Sequence, residues 1–194
     1  HMAGHISSEI LVLKEYCDQN NLFLIEDAAH TPGAEINGIK AGNIGHIGCF
    51  SFYPTKIITS GEGGMLTTSD DSIAAYARSY QNRGNDMNSD NESYIIPSRN
   101  VRLTEFAALL GRVQLSHLDE YLNKRKVVAK IYQKRLKNIE GLDLILPNDL
   151  KQSSCWKVPV ILDTNSERNR VMHELHLKGI FVDTAYTPPL HLQP

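Results

Sequence analysis

Only three cysteines, Cys17, Cys49 and Cys155, occur in the 194 residues of the chain. They are odd in number and far apart, which speaks against both a disulfide framework and a thiolate zinc site and makes a reducing cytoplasm the expected setting. An excess of one charge is also missing. The formal net charge is −2, so no long-range field draws the chain to nucleic acid or to an anionic membrane. No apolar run approaches the roughly 20 residues that span a bilayer, and no signal-peptide pattern is visible at the start. His173 and His176 share a helical face, yet no further ligand is in register with them, so a surface pair is expected rather than a metal site. Gly61-Glu62-Gly63-Gly64 lacks the Gly-Lys-Ser/Thr ending of a nucleotide P-loop.

What is present is the composition of a folded protein, 41% hydrophobic and 22% charged. Ser7 or Ser8 is placed to cap a helix running to about Asn20. Leu22-Phe23-Leu24-Ile25 reads as a strand buried on both faces, delivering Glu26 and Asp27 at its carboxyl end, the edge where open α/β sheets bind ligands. Residues 47–52 and 64–68 read as further strands, and Asp70 or Asp71 starts a helix through about Arg83. The polar stretch 84–93 reads as a mobile loop. A long helical region over 104–138 is expected to break near His117-Leu118-Asp119, with Leu109, Val113 and Leu118 as helix core. Lys124-Arg125-Lys126 and Lys134-Arg135 are expected on a solvated helix face. Beyond Gly141 the pattern changes to short strands over 156–162 and 180–182 around a helix from about Ser166 to Lys178 capped by Gly179, with Trp156 packing among them. The expected division is therefore 1–138 and 139–194.

The chemistry concentrates in the first hundred residues. Lys56 ends the run Cys49-Phe50-Ser51-Phe52-Tyr53-Pro54-Thr55-Lys56, and Glu26-Asp27-Ala28-Ala29-His30 lies upstream. A lysine amine held partly neutral attacks aldehydes, and a carboxylate at a strand end can keep a pyridine nitrogen protonated. That combination points to pyridoxal 5'-phosphate, with Lys56 as the amine, Asp27 as the acid group, His30 within reach of the same ring, and the Ser51 hydroxyl available to a phosphate. Each residue has a plainer reading. Lys56 could be a surface loop residue, Asp27 a turn former, His30 a local hydrogen-bonding group and Ser51 an ordinary strand residue.

Taken in order and spacing, Ile25 to His30, Gly45 to Phe52 running into Lys56, Gly61 to Met65, Arg99-Asn100-Val101-Arg102-Leu103-Thr104-Glu105 and Pro188-Pro189-Leu190-His191 closely resemble the motifs of the DegT-type sugar aminotransferases. The resemblance covers essentially the whole chain. It implies an α/β fold: part of the large domain of the pyridoxal-phosphate-dependent (aspartate aminotransferase-like) transferases with a mainly parallel sheet, plus part of a smaller α+β C-terminal domain. It also implies transfer of an amino group from glutamate or glutamine to a keto group of a nucleotide-linked sugar. On that resemblance Lys56 is the residue that bonds the cofactor aldehyde and moves protons, Asp27 the partner of the ring nitrogen, His30 a neighbour of the ring hydroxyl and Ser51 a phosphate contact. Asn100 matches an asparagine that reaches the phosphate of a neighbouring subunit, which implies a homodimer with a shared site. Tyr186 and His191 fall where the smaller domain approaches the substrate.

Lys56 argues against the dehydratase branch of the family, in which histidine replaces the lysine. A relative without catalysis is the reading from another class. The family's glycine-threonine phosphate turn and ring-stacking aromatic residue have no counterpart here, and His1-Met2-Ala3-Gly4-His5 resembles an internal family segment. The chain is therefore expected to be a piece cut at both ends, with unpaired strand edges favouring association, weak cofactor retention and little activity of its own.

Overall fold

The computed structural model describes residues 1–86, 89, 91, 93–184 and 186–194. Its central sheet has three strands in the order β1 (Ile25–Asp27), β4 (Ile47–Ser51), β5 (Gly64–Thr67). β1 and β4 run parallel with Asp27 beside Cys49, whereas β4 and β5 are antiparallel with Ser51 beside Gly64. The sheet is thus mixed, with one parallel step and β5 returning in the opposite sense. Between β1 and β4 the chain makes a small hairpin, β2 (Glu35–Ile36) with β3 (Ile39–Lys40), turning through Asn37 and Gly38, both at positive φ as such a turn demands.

Helix α1 (Ile10–Gln19) buries Ile10 and Cys17 in a core with Ile6, Leu24, Ala34, Ile36, Ala41 and Ile44. Its N-cap is Glu9 with no side-chain capping bond, and Ser8 Oγ instead donates to Glu9 Oε1 at 3.3 Å, so neither serine caps it. The expected strand over Leu22–Ile25 is also displaced. Asn21 takes a positive φ, which delays the extended segment to Ile25, and only Leu24 of the apolar run is buried while Phe23 is 71% exposed.

Helix α2 (Asp71–Gln81) is capped by the Asp70 carboxylate, which accepts from Ser72 N and Ile73 N. Of the polar stretch that follows, residues 87, 88, 90 and 92 lie outside the described residues. Its base is closed by Ile95 N donating to Gly84 O at 2.8 Å and by pairing of Asn85 with Tyr94.

Helices α3 (Glu105–Ser116) and α4 (Leu118–Leu136) break at His117 as the sequence predicts. Leu118, Leu122, Arg125 and Ala129 follow one another at helical spacing, and all face inward. Leu122 and Leu118 pack with Ile57, Ile58, Phe52 and Trp156, Ala129 packs with Leu150 and Cys155, and Arg125 Nη1 donates to the carbonyls of Cys155 and Trp156 at 3.3 and 3.2 Å. Arg125 is thus not part of a solvated basic face, although Lys124 is, paired with Glu120 at 2.6 Å. Helix α3 has no buried residue. Leu109 and Val113 are exposed rather than core, because nothing among the described residues covers that face.

The remainder forms an antiparallel pair, β6 (Leu142–Leu144) with β7 (Val160–Leu162), and helix α5 (Asn165–Leu177), capped by Thr164 and ended by Gly179 at positive φ. The expected strand over 180–182 does not form. Residues 180–182 are irregular, and His176 Nε2 lies 2.9 Å from the carbonyl of Val182 in place of a ladder bond.

Candidate active site

The register of β1 against β4 sets the site. Glu26 and Asp27 are neighbours on one strand, so their side chains leave on opposite faces. Glu26 points inward, 2% exposed. Its Oε1 accepts from the amides of Ile44 and Gly45 at 2.7 and 2.6 Å, and its Oε2 accepts from Gly42 N at 2.8 Å and lies 3.0 Å from His1 Nε2. A buried carboxylate is tolerated only when donors replace its hydration. Here three backbone amides do so, and they fix the loop that leads into β4. Glu26 is a structural centre for which the motif alone suggested no role.

Asp27 faces outward. Its Oδ1 accepts from Ala29 N at 3.0 Å, the local turn bond expected of an aspartate in this position, and Oδ2 has no protein donor among the described residues. The turn that follows brings His30 round. Thr31 N donates to Ala28 O at 3.0 Å, and His30 stacks on Trp156 with ring centroids 3.8 Å apart and an interplanar angle of 15°. Trp156 therefore lies against the β1 turn rather than among the C-terminal strands.

Lys56 sits at the end of a turn that its sequence dictates. Pro54 fixes φ in the second position, and Lys56 N donates to Tyr53 O at 2.9 Å. The loop is closed at its base by Phe52, whose N–H donates to Gly63 O and whose carbonyl accepts from Ser60 N and the Thr59 hydroxyl. The Lys56 ammonium lies 4.9 Å from the centre of the Trp156 ring. Burial lowers the pKa of this amine from the ordinary lysine value, the Asp27 carboxylate opposes that shift, and the positive charge of Lys157 adds to it. Burial likewise lowers His30, followed by the charge of Lys56, with Asp27 acting in the opposite sense. The three groups named from sequence thus share one electrostatic environment, with the indole of Trp156 against both Lys56 and His30.

Ser51 ends β4 and accepts from Tyr53 N at 3.3 Å, which leaves its hydroxyl proton free to donate. Asn100 is not part of this cluster. It is exposed and pairs with Asn82 beside the end of α2. Tyr186 and His191 are exposed as well, Tyr186 at positive φ and His191 in a short 3-10 turn over Leu190–Leu192, and neither is brought into contact with Lys56. The donor set at Asp27, His30 and Lys56 fits a ring carrying a basic nitrogen, a hydroxyl and an aldehyde: an open carboxylate oxygen, an imidazole and an amine held toward its neutral form.

The missed residues are Trp156 and Gly4. Trp156 Nε1 donates to the carbonyl of Thr55 at 2.7 Å, so it is tied to the residue just before Lys56. Gly4, at φ +99°, lets residues 1–5 approach so closely that a Cβ there would meet Ser154 Oγ at 2.5 Å and Trp156 N at 2.8 Å. No local signal marks either contact, since Trp156 lies 100 positions beyond Lys56. A lone tryptophan beside a lysine in an otherwise plain segment was the only available hint.

The chain is thus an α/β fold whose mixed sheet carries a carboxylate at its parallel strand end beside a lysine-bearing loop. The model of the DegT/DnrJ/EryC1/StrS aminotransferase family matches residues 1–194, and the chain belongs to that family. It is 34% identical over 200 residues to a GDP-perosamine synthase of Caulobacter vibrioides, covering all of this chain and 52% of that protein. It is 30% identical over 195 residues to the dTDP-3-amino-3,4,6-trideoxy-alpha-D-glucose transaminase of Streptomyces venezuelae, covering all of this chain and 50% of that protein. In structure it is similar to the aminotransferase TlmJ of Streptoalloteichus hindustanus, with a TM-score of 0.88 at 28% identity over 99% of this chain and 52% of the other. The chain spans about half the length of the curated relatives it matches. Among the described residues no helix is long and apolar enough to cross a membrane.

Proposed function

We propose that the protein acts in a pyridoxal-5'-phosphate-dependent aminotransferase that moves an amino group from glutamate or glutamine to a keto group of a nucleotide-linked sugar. The observation that carries this reading is that the Lys56 amine and the His30 imidazole meet on one indole within the electrostatic reach of the Asp27 carboxylate, in a chain of this family. The names of the relatives, a GDP-perosamine synthase and a dTDP-sugar transaminase, support a sugar nucleotide as acceptor.

Lys56 would hold the cofactor through its side-chain amine and would serve as the base that moves a proton at the substrate carbon. The open oxygen of Asp27 would hold the ring nitrogen and keep it protonated. His30, whose pKa burial lowers, would hold the ring hydroxyl, and Ser51 would donate to the phosphate. When bound, pyridoxal phosphate supplies the electron sink that lets an amino acid lose its alpha proton. Asn100, apart from the cluster, is assigned to the phosphate of a second subunit in a homodimer, and Tyr186 and His191 to the substrate side. The division at 138/139 and a cytoplasmic setting, in keeping with three free cysteines, belong to the same reading. Lys56, rather than histidine, favours amino transfer over dehydration.

Borohydride reduction in the presence of pyridoxal phosphate, followed by peptide mass spectrometry, tests it. The cofactor mass is expected on the peptide carrying Lys56, and Lys56→Ala is expected to abolish it. Labelling spread over surface lysines, with Lys56 unmodified, overturns the assignment.

A further inference from the structure

Two ammonium groups rest on the same indole. Lys56 Nζ and Lys157 Nζ each lie 4.9 Å from the centre of the Trp156 ring, while His30 stacks on that ring at 3.8 Å. Neither lysine has a carboxylate within ion-pairing distance among the described residues. Like charges gathered on one aromatic surface without a counter-ion between them cost energy unless the surface attracts them, which a ring face does by its quadrupole.

The backbone of this segment is held from several sides. Ser154 N donates to Gly4 O at 2.9 Å and Lys157 N to Ala3 O at 3.1 Å. Ser154 Oγ donates to His30 O at 2.5 Å, and Arg125 binds the carbonyls of Cys155 and Trp156. Cys155 takes a positive φ of 51°, uncommon for a residue with a side chain, and this turns Trp156 and Lys157 toward the β1 and Lys56 loops. Trp156 Nε1 then closes the connection on Thr55 O.

We infer that Trp156 and Lys157 are positioning residues for Lys56: the indole fixes the lysine loop through Thr55 and gives the amine its resting surface, and Lys157 sets a second positive charge against the same ring. This rests on the reading of Lys56 as the nucleophile and assigns roles to two residues outside the motifs. The charged groups facing Lys56 are Asp27 from the β1 end, His30 from the turn after it, and Lys157. Asp27 favours the protonated amine, and Lys157 opposes it. Removing Lys157 therefore leaves burial alone to oppose Asp27 and raises the pH at which Lys56 becomes reactive.

The test is the pH profile of Lys56 acylation by acetic anhydride in the cofactor-free protein at low ionic strength, followed by peptide mass spectrometry. Lys157→Met is expected to move the profile to higher pH and to slow labelling at pH 8 by about two- to fivefold. Lys157→Arg is expected to restore it, and added salt to shrink the difference. Trp156→Phe, which keeps a ring but loses the N–H to Thr55, is expected to change how fast Lys56 is labelled at every pH. A Lys56 profile in Lys157→Met that superimposes on the parent overturns the inference, whatever Trp156→Phe does to folding. Borohydride trapping separates the two readings. An adduct on Lys56 together with an unmoved profile sinks only this inference, while a moved profile without an adduct sinks only the cofactor assignment.

Discussion

Helix α3 reads as core in the sequence and segment 153–157 does not, yet the segment is locked and the helix is open. Ser153 and Ser154 are fully buried and Cys155 is 4% exposed, whereas Phe106 on α3 is 88% exposed. The locked segment is small and polar, and the open helix has the apolar spacing that ordinarily marks a core. The difference lies in polar satisfaction. Ser153 Oγ bonds His5 Nδ1 and accepts from Cys155 N, both at 2.8 Å, and Ser154 Oγ bonds His30 O, so burial there leaves few unpaired groups. Apolar spacing states only that a face can be covered, not that a partner is at hand.

Three experiments sharpen or break this contrast. The largest effect is expected at the carboxylate that organises the locked side. Glu26→Leu strips three amides of their acceptor and is expected to cost about 3–5 kcal/mol in urea unfolding; a loss below about 1 kcal/mol would show that the loop finds other acceptors. The next is a pH effect. Burial lowers the pKa of His5 and of His30 below their ordinary 6.5, so the fold favours the neutral rings. A group whose folded value is depressed gives stability that is complete above the unfolded pKa and is lost as pH falls through the folded one. The urea midpoint is therefore expected to fall from about pH 7 downward, with a shallower slope in His5→Asn, and an identical slope in that variant would remove His5 from the account. Smallest of all, Phe106→Ser on the open helix is expected to shift stability by no more than about 0.5 kcal/mol. A larger loss would mean that α3 is covered in solution.

Legibility followed the range of the interactions. The Asp70 cap, the Gly179 stop and the break at His117 depend on residues within four positions of one another, and they appear where the sequence puts them. The first strand slid toward its carboxyl end because the positive φ of Asn21 is not encoded by apolar content. Residues 180–182 look like a strand by composition but find no partner strand. At the site, Asp27, His30 and Lys56 came from ordered motifs, and the turns that carry them bring them together. Trp156 and Lys157 could not be read in the same way, because their meaning comes from a contact made across the fold.

By itself the sequence determined the family, the acidic end of the first strand, and the lysine-bearing loop, since each depends on short-range preferences repeated in order along the chain. Only the tertiary structure decided which of two adjacent carboxylates is buried and which is open. It also decided that Arg125 turns inward and that a tryptophan 100 positions away becomes the surface on which Lys56 rests. Those outcomes depend on which donors and rings the packing brings within a few ångströms, and sequence spacing carries no record of that distance.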